Sequence, residues 1–161
     1  MTTLPASAPA TTGAAFAHIN AVTAPTIDDL KLMVFLEASG VKSYGGIAAH
    51  SDNAEIRALL EANGREELAH AHRVSKVIKL LSGEDFPPPA DADNPYVPAV
   101  SPPLTRALLE GIVKAEHGGE NLYESWAQSV NNAEAAALLR QNGKEEIEHG
   151  DRAAKALALL G

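Results

Sequence analysis

The chain has 161 residues, 45% hydrophobic and 21% charged, with a formal net charge of −8; that length suits one domain with one sizeable core. The acidic balance leaves no basic stripe for a nucleic-acid partner, and the absence of cysteine excludes disulfides, thiolate metal sites, iron–sulfur clusters and a cysteine nucleophile. No apolar run approaches the roughly 18–20 residues that a membrane span needs, so a cytoplasmic protein is expected, and any metal in it must rest on carboxylates and imidazoles.

Residues 1–25 are rich in Ala, Thr and Pro and contain no Lys or Arg. A secretory signal needs a positive start, so none is expected; low complexity points to a disordered arm, and His18 within it is given no role. Four helices follow. The first starts at Thr26, which with Asp29 forms a capping box, and runs to about His50. The second opens on another such box, Asp52 with Glu55, and ends at Leu81 before Gly83. Residues 83–104 are too Pro-rich for helix interior. Ser101 followed by Pro102 begins the third helix, which ends near Val130. Asn131 with Glu134 caps the fourth, which runs to the C-terminus.

The sequence repeats itself. Shifted by 79 residues, 26–81 aligns with 105–160 without a gap, and the pairs include Glu37/Glu116, Tyr44/Tyr123, Asn63/Asn142, Gly64/Gly143, Glu67/Glu146, His70/His149 and Arg73/Arg152. Composition alone would match scattered Ala and Leu, not Glu, Tyr, Asn, Gly and His in one frame. The chain therefore reads as two copies of a helical hairpin, residues 26–82 and 105–161. Two such units packed about a twofold axis perpendicular to the helices need a connection that travels back along the bundle. A helix of about 30 residues is roughly 45 Å long; residues 83–101 in extended polyproline form reach roughly 59 Å. The expected fold is thus an all-α four-helix bundle with a long crossover.

In each helix an apolar stripe at three- and four-residue spacing is broken near its middle by charge. The stripes read Leu30, Val34, Glu37, Val41, Tyr44; Ile56, Leu59, Asn63, Glu67, His70, Val74; Leu109, Val113, Glu116, Glu120, Tyr123; and Ala135, Leu138, Asn142, Glu146, His149, Ala153. Glu37 and Glu67 each lie 15 residues from position 52 at the first turn, and Glu116 and Glu146 lie 15 from position 131 at the second. In antiparallel hairpins such pairs face each other at one level. A Glu-to-His step of three residues puts both side chains on one helix face. Four carboxylates and two imidazoles therefore converge inside the bundle. Four ionised carboxylates in a core are prohibitive alone, whereas two divalent cations balance them. Hard oxygen with borderline nitrogen suits iron or manganese, and also zinc. Glu120 has Val41 as its repeat partner; it is either an extra ligand or a stripe-edge residue reaching solvent. Glu66 and Glu145, on another face, are expected to be solvated, as are His72 and His117. Asn63 and Asn142 are expected to be buried amides needing partners.

This constellation, Glu37 and Glu116 each with Tyr seven residues on, plus Glu67-x-x-His70 and Glu146-x-x-His149, resembles the di-iron carboxylate proteins of the ferritin-like superfamily, bacterioferritins and rubrerythrins included. Each hairpin is also similar to the two-helix encapsulated ferritins. The resemblance covers residues 26–160, and in that superfamily a Glu from each of two helices joins a Glu-x-x-His from each of the other two. It implies two iron ions that react with dioxygen or hydrogen peroxide, with Glu67 and Glu146 bridging, Glu37 and Glu116 as terminal ligands, and Tyr44 and Tyr123 hydrogen-bonded to the carboxylates. A cysteine-based rubredoxin module is not part of these residues. An oxidoreductase of ferroxidase or peroxide-scavenging type is expected; non-catalytic iron storage or buffering, or a bundle held by a structural metal, are the alternatives. Substrate hydroxylation would require an apolar pocket beside the metals. Small residues on the helix faces permit a homodimer.

Overall fold

Capping side chains set the helix boundaries. The structure is a computed structural model that describes residues 2–161, and it is helical with no strand among them. The helices are α1 (Thr12–Ala21), α2 (Ile27–Ala48), α3 (Ala54–Ser82), α4 (Arg106–Ser129) and α5 (Ala133–Leu160), with a short 3-10 turn at Asp91–Asp93. The Thr26–Asp29 capping box forms as expected. The next two caps each fall later than the sequence suggests. Asn53, not Asp52, caps α3 and accepts from the amides of Glu55 and Ile56; Asn132, not Asn131, caps α5 and accepts from Ala135. The start of α4 moves furthest, to Thr105, which accepts from Leu108. Pro103 accounts for this, because a residue before proline is pushed out of the helical region and Pro102 is such a residue. Gly83 closes α3 in the left-handed conformation, φ 79°, and returns its N–H to Lys79.

α2 packs on α3 and α4 on α5, and the two hairpins join through α3 against α5. Contacts between the hairpins run in opposite chain directions. Asn63 donates to the carbonyl of His149 while Asn142 donates to that of His70, and Tyr44 reaches Glu116 while Tyr123 reaches Glu37. α2 and α4 are thus antiparallel, as the long crossover requires. That crossover follows the whole of α2. It starts with Lys31–Glu84 at 2.8 Å and Phe86 tilted on Phe35. It continues with Asn94 donating to the carbonyl of Phe35 and ends with Ser101 against Gly46.

The arm expected to be disordered differs. Residues 12–21 form α1, with Ala15 and Ile19 fully or almost fully buried. Thr11 caps it, and its surroundings hold it. Trp126 donates to the carbonyl of Val22, Tyr96 to that of Pro9, and His18 lies 2.6 Å from Asp29. Composition could not reveal this, because the partners come from α2, α4 and the crossover. Together α1 and the crossover cover α2, in which every residue from Leu32 to Ser39 is buried. α4 lacks that cover and buries only Leu109, Tyr123, Trp126 and Ala127. The sequence agrees: Leu32, Phe35 and Leu36 correspond to Gly111, Lys114 and Ala115.

The core stripe also shifts slightly. Leu60 and Leu139 are fully buried and Leu59 and Leu138 only partly, so α3 alternates steps of four and three from Ile56 onward. In α4 the inward position beside Glu146 is Gly119, and Glu120, one residue on and about 100° around the helix, is exposed.

Candidate metal centre

The middle of the bundle holds the charged residues. His70 and His149 are fully buried, and Glu37, Glu67 and Glu146 are 6–8% exposed. One ligand atom from each of Glu67, His70, Glu146 and His149 lies within 4.8 Å of the others. The two imidazoles stack with centroids 4.9 Å apart. Nδ1 of His70 lies 3.2 Å from Glu146, 3.5 Å from Glu67 and 3.7 Å from Glu37. Nδ1 of His149 lies 3.4 Å from Glu67, 3.6 Å from Glu116 and 3.7 Å from Glu146. Glu67 and Glu146 thus face both histidines, whereas Glu37 faces only His70 and Glu116 only His149. The six residues expected to converge are brought together; Glu120 stands outside the cluster.

Close approach of the helices makes this possible. A Cβ on Gly40 would fall 2.5 Å from Cβ and Cγ of Glu67, and one on Gly119 would fall 2.7 Å from Cγ of Glu146. Each glycine clears the space in which a central glutamate lies. The sequence signal was a repeated Glu-x-x-Gly, at 37–40 and 116–119.

The outer nitrogens of the histidines are held across the hairpin interface. Nε2 of His70 is 3.1 Å from Glu145, and Nε2 of His149 is 3.0 Å from Glu66. Arg73 grips Glu145 through two nitrogens at 2.7 and 3.0 Å, and Arg152 grips Glu66 at 2.8 and 2.9 Å. The same arginines donate to Asn142 and Asn63, the buried amides whose partners the sequence left open. Glu66 and Glu145 are therefore not merely solvated. A face that points away from its own hairpin points at the other one, because α3 and α5 lie side by side. Tyr44 donates to Glu116 and Tyr123 to Glu37. Burial first, then the charge of the neighbouring glutamate, pushes both phenols well up, so both keep their protons and donate.

Without a metal the centre balances its charge with protons. Burial would raise Glu37, but the His70 imidazole and Glu67 beside it outweigh that and hold the carboxyl at about 2. Glu116 is lowered in the same way, with burial opposed chiefly by His149. Burial and the charges of Glu37 and Glu116 push Glu67 to about 8; burial and Glu67 push Glu146 well up. Burial alone would lower both histidines, yet facing carboxylates raise them, His149 to about 10 and His70 further. Two imidazolium ions and two neutral carboxyls then stand beside two carboxylates. Four protons do what two divalent cations would do.

The donor set fits a metal pair. Both Nδ1 atoms are buried and have no aligned hydrogen-bond partner. If Nε2–H donates to Glu145 and Glu66, the neutral tautomer places each Nδ1 lone pair toward the carboxylates, as in metal-ligating histidines. An antiparallel helical bundle with such a buried Glu/His cluster belongs to the class of ferritin-like carboxylate proteins. A family model, Rubrerythrin, matches residues 28–157, and the chain belongs to that family. Searches of curated proteins and of solved structures returned no match. No helix among the described residues is long and apolar enough to cross a membrane.

Proposed function

We propose that the centre holds two iron ions and reacts with dioxygen or hydrogen peroxide, as a ferroxidase or peroxide scavenger. The observation that carries this reading is the pair of buried Nδ1 atoms, neither with an aligned hydrogen-bond partner, which between them face four carboxylates. Glu37 with His70 would hold one ion and Glu116 with His149 the other, with Glu67 and Glu146 between them. Bound there, an iron pair would supply the electrons that reduce the oxidant. Tyr44 and Tyr123 orient Glu116 and Glu37, and the Arg–Glu pairs on the α3/α5 side fix the imidazoles. Toward α2 and α4 the glutamates border a cavity, and Glu116 keeps 14% of its side chain exposed. Manganese and zinc suit the same donors, and storage of iron without turnover would use the same ligands.

The test is anaerobic loading with ferrous ion, followed by oxygen or peroxide while ferric absorbance is recorded. Two irons per chain and rapid oxidation are expected. Stoichiometric zinc with no affinity for iron would overturn the redox reading, and unchanged metal content in Glu67→Ala would overturn the site.

A further inference from the structure

The backbones of α3 and α5 pack together, whereas α2 and α4 stay apart. Between α2 and α4, roofed by α1, lies a cavity of about 460 Å³. Its walls are apolar, chiefly Phe16 and Ile19 of α1, Met33 and Leu36 of α2, and Ile112 and Leu122 of α4. Its floor is the four glutamates and two tyrosines of the centre. The volume falls within the roughly 300–1,000 Å³ range of small-molecule sites. It is far too small for a helix, which is about 10 Å across, so a second chain could offer it a side chain at most.

The lining chooses the chemistry. No Lys, Arg or His borders the cavity, so an anionic head group would find no partner and would meet four glutamates. Two wall hydroxyls have already given their protons to the backbone, Ser39 to Leu36 at 2.6 Å and Ser43 to Ser39 at 3.0 Å; the other polar wall residues, Thr12 and Asn20, both belong to α1. Away from those two α1 side chains, apolar surface is what remains to recognise a ligand along its length. We infer that this cavity binds a small uncharged organic molecule with an aliphatic body, lying end-on against the carboxylates, with α1 as its roof. The inference rests on the di-metal reading only for what that end lies against.

The full chain as isolated is titrated calorimetrically with 1-butanol, 1-hexanol and 1-octanol, with octanoate as the charged control. Metal content of the same sample is measured first, so failure to bind alcohol and failure to hold metal are read separately. Saturable one-to-one binding is expected. Affinity should rise roughly fourfold per added methylene, the fold-change equivalent of ~0.8 kcal/mol. In samples that the metal analysis shows to be empty, where no cation can ligate a carboxylate, octanoate should bind at least about tenfold more weakly than octanol. Ala115→Phe, which adds a ring to the cavity from an exposed position on α4, should abolish binding without lowering the Tm. Affinity independent of chain length would overturn the proposal, as would octanoate binding metal-free protein as well as octanol does. So would a dimer by light scattering that Phe16→Asp dissociates, because the cavity roof would then be a subunit contact. Should Ala115→Phe fail to fold, the octanol-to-octanoate comparison on the unaltered chain decides alone.

Discussion

Gly118 and Gly119 are neighbours on α4, and replacing each with alanine should have opposite effects. Alanine in a helix interior is favoured over glycine by about 1 kcal/mol. At Gly118 an added Cβ meets nothing within 4 Å, so Gly118→Ala should stabilise the protein by about that amount. At Gly119 the same methyl would lie 2.7 Å from Cγ of Glu146 and 3.0 Å from its Cβ and Cδ. These atoms are near the backbone and cannot swing aside, so α4 must move out or Glu146 must leave the centre. Overpacking of this kind costs about 1–3 kcal/mol, which separates the two variants by the same amount. For a chain of this size that is roughly 2–12 °C in Tm. Scanning calorimetry on metal-free protein reads the stability, and metal analysis after loading reads the site. Gly119→Ala should melt below Gly118→Ala and hold less metal. Equal melting temperatures with full metal content in both would refute the argument that Gly119 makes room for Glu146.

Two further outcomes follow from the charges. Glu145→Gln should weaken metal binding about 10–100-fold, because a partner outside the ligand set fixes the His70 ring; equilibrium titration with ferrous ion or zinc checks this, with Glu148→Gln, an exposed change near Arg152, as the control. The stability of metal-free protein should fall as pH rises above 4.5, and more steeply above 6.5. Glu67 and His149 have folded values raised to about 8 and about 10, so their contributions are complete only below the unfolded values, 4.5 and 6.5, and are lost as pH climbs through the raised ones. Metal-loaded protein should lack this decline, since the cations replace those protons; thermal melts of both forms from about pH 6 to about pH 10 make the comparison.

Much of the centre was legible because it obeys two local rules. Helical spacing put Glu67 with His70 and Glu146 with His149 on single faces, and equal distances from two turns set all four glutamates at one height. The repeated residues strengthened each by its echo, and the length of the Pro-rich segment left room for antiparallel α2 and α4. Those inferences need only the geometry of one helix or one hairpin.

What the sequence could not decide depended on surfaces that meet only in the folded bundle. Glu66 and Glu145 looked solvated because their own helices offered them no partner; packing α3 on α5 gave them His149 and His70. Glu120 fitted the periodic frame, yet α4 turns so that Gly119 meets Glu146 and Glu120 meets water. α1 was hidden in a low-complexity arm because its stability comes from Trp126, Tyr96 and Asp29, all distant in the chain. Composition and period determined which groups would be buried together. Which neighbour each would touch, and where a cavity would remain, was decided by how two hairpins and one added helix fill space around them.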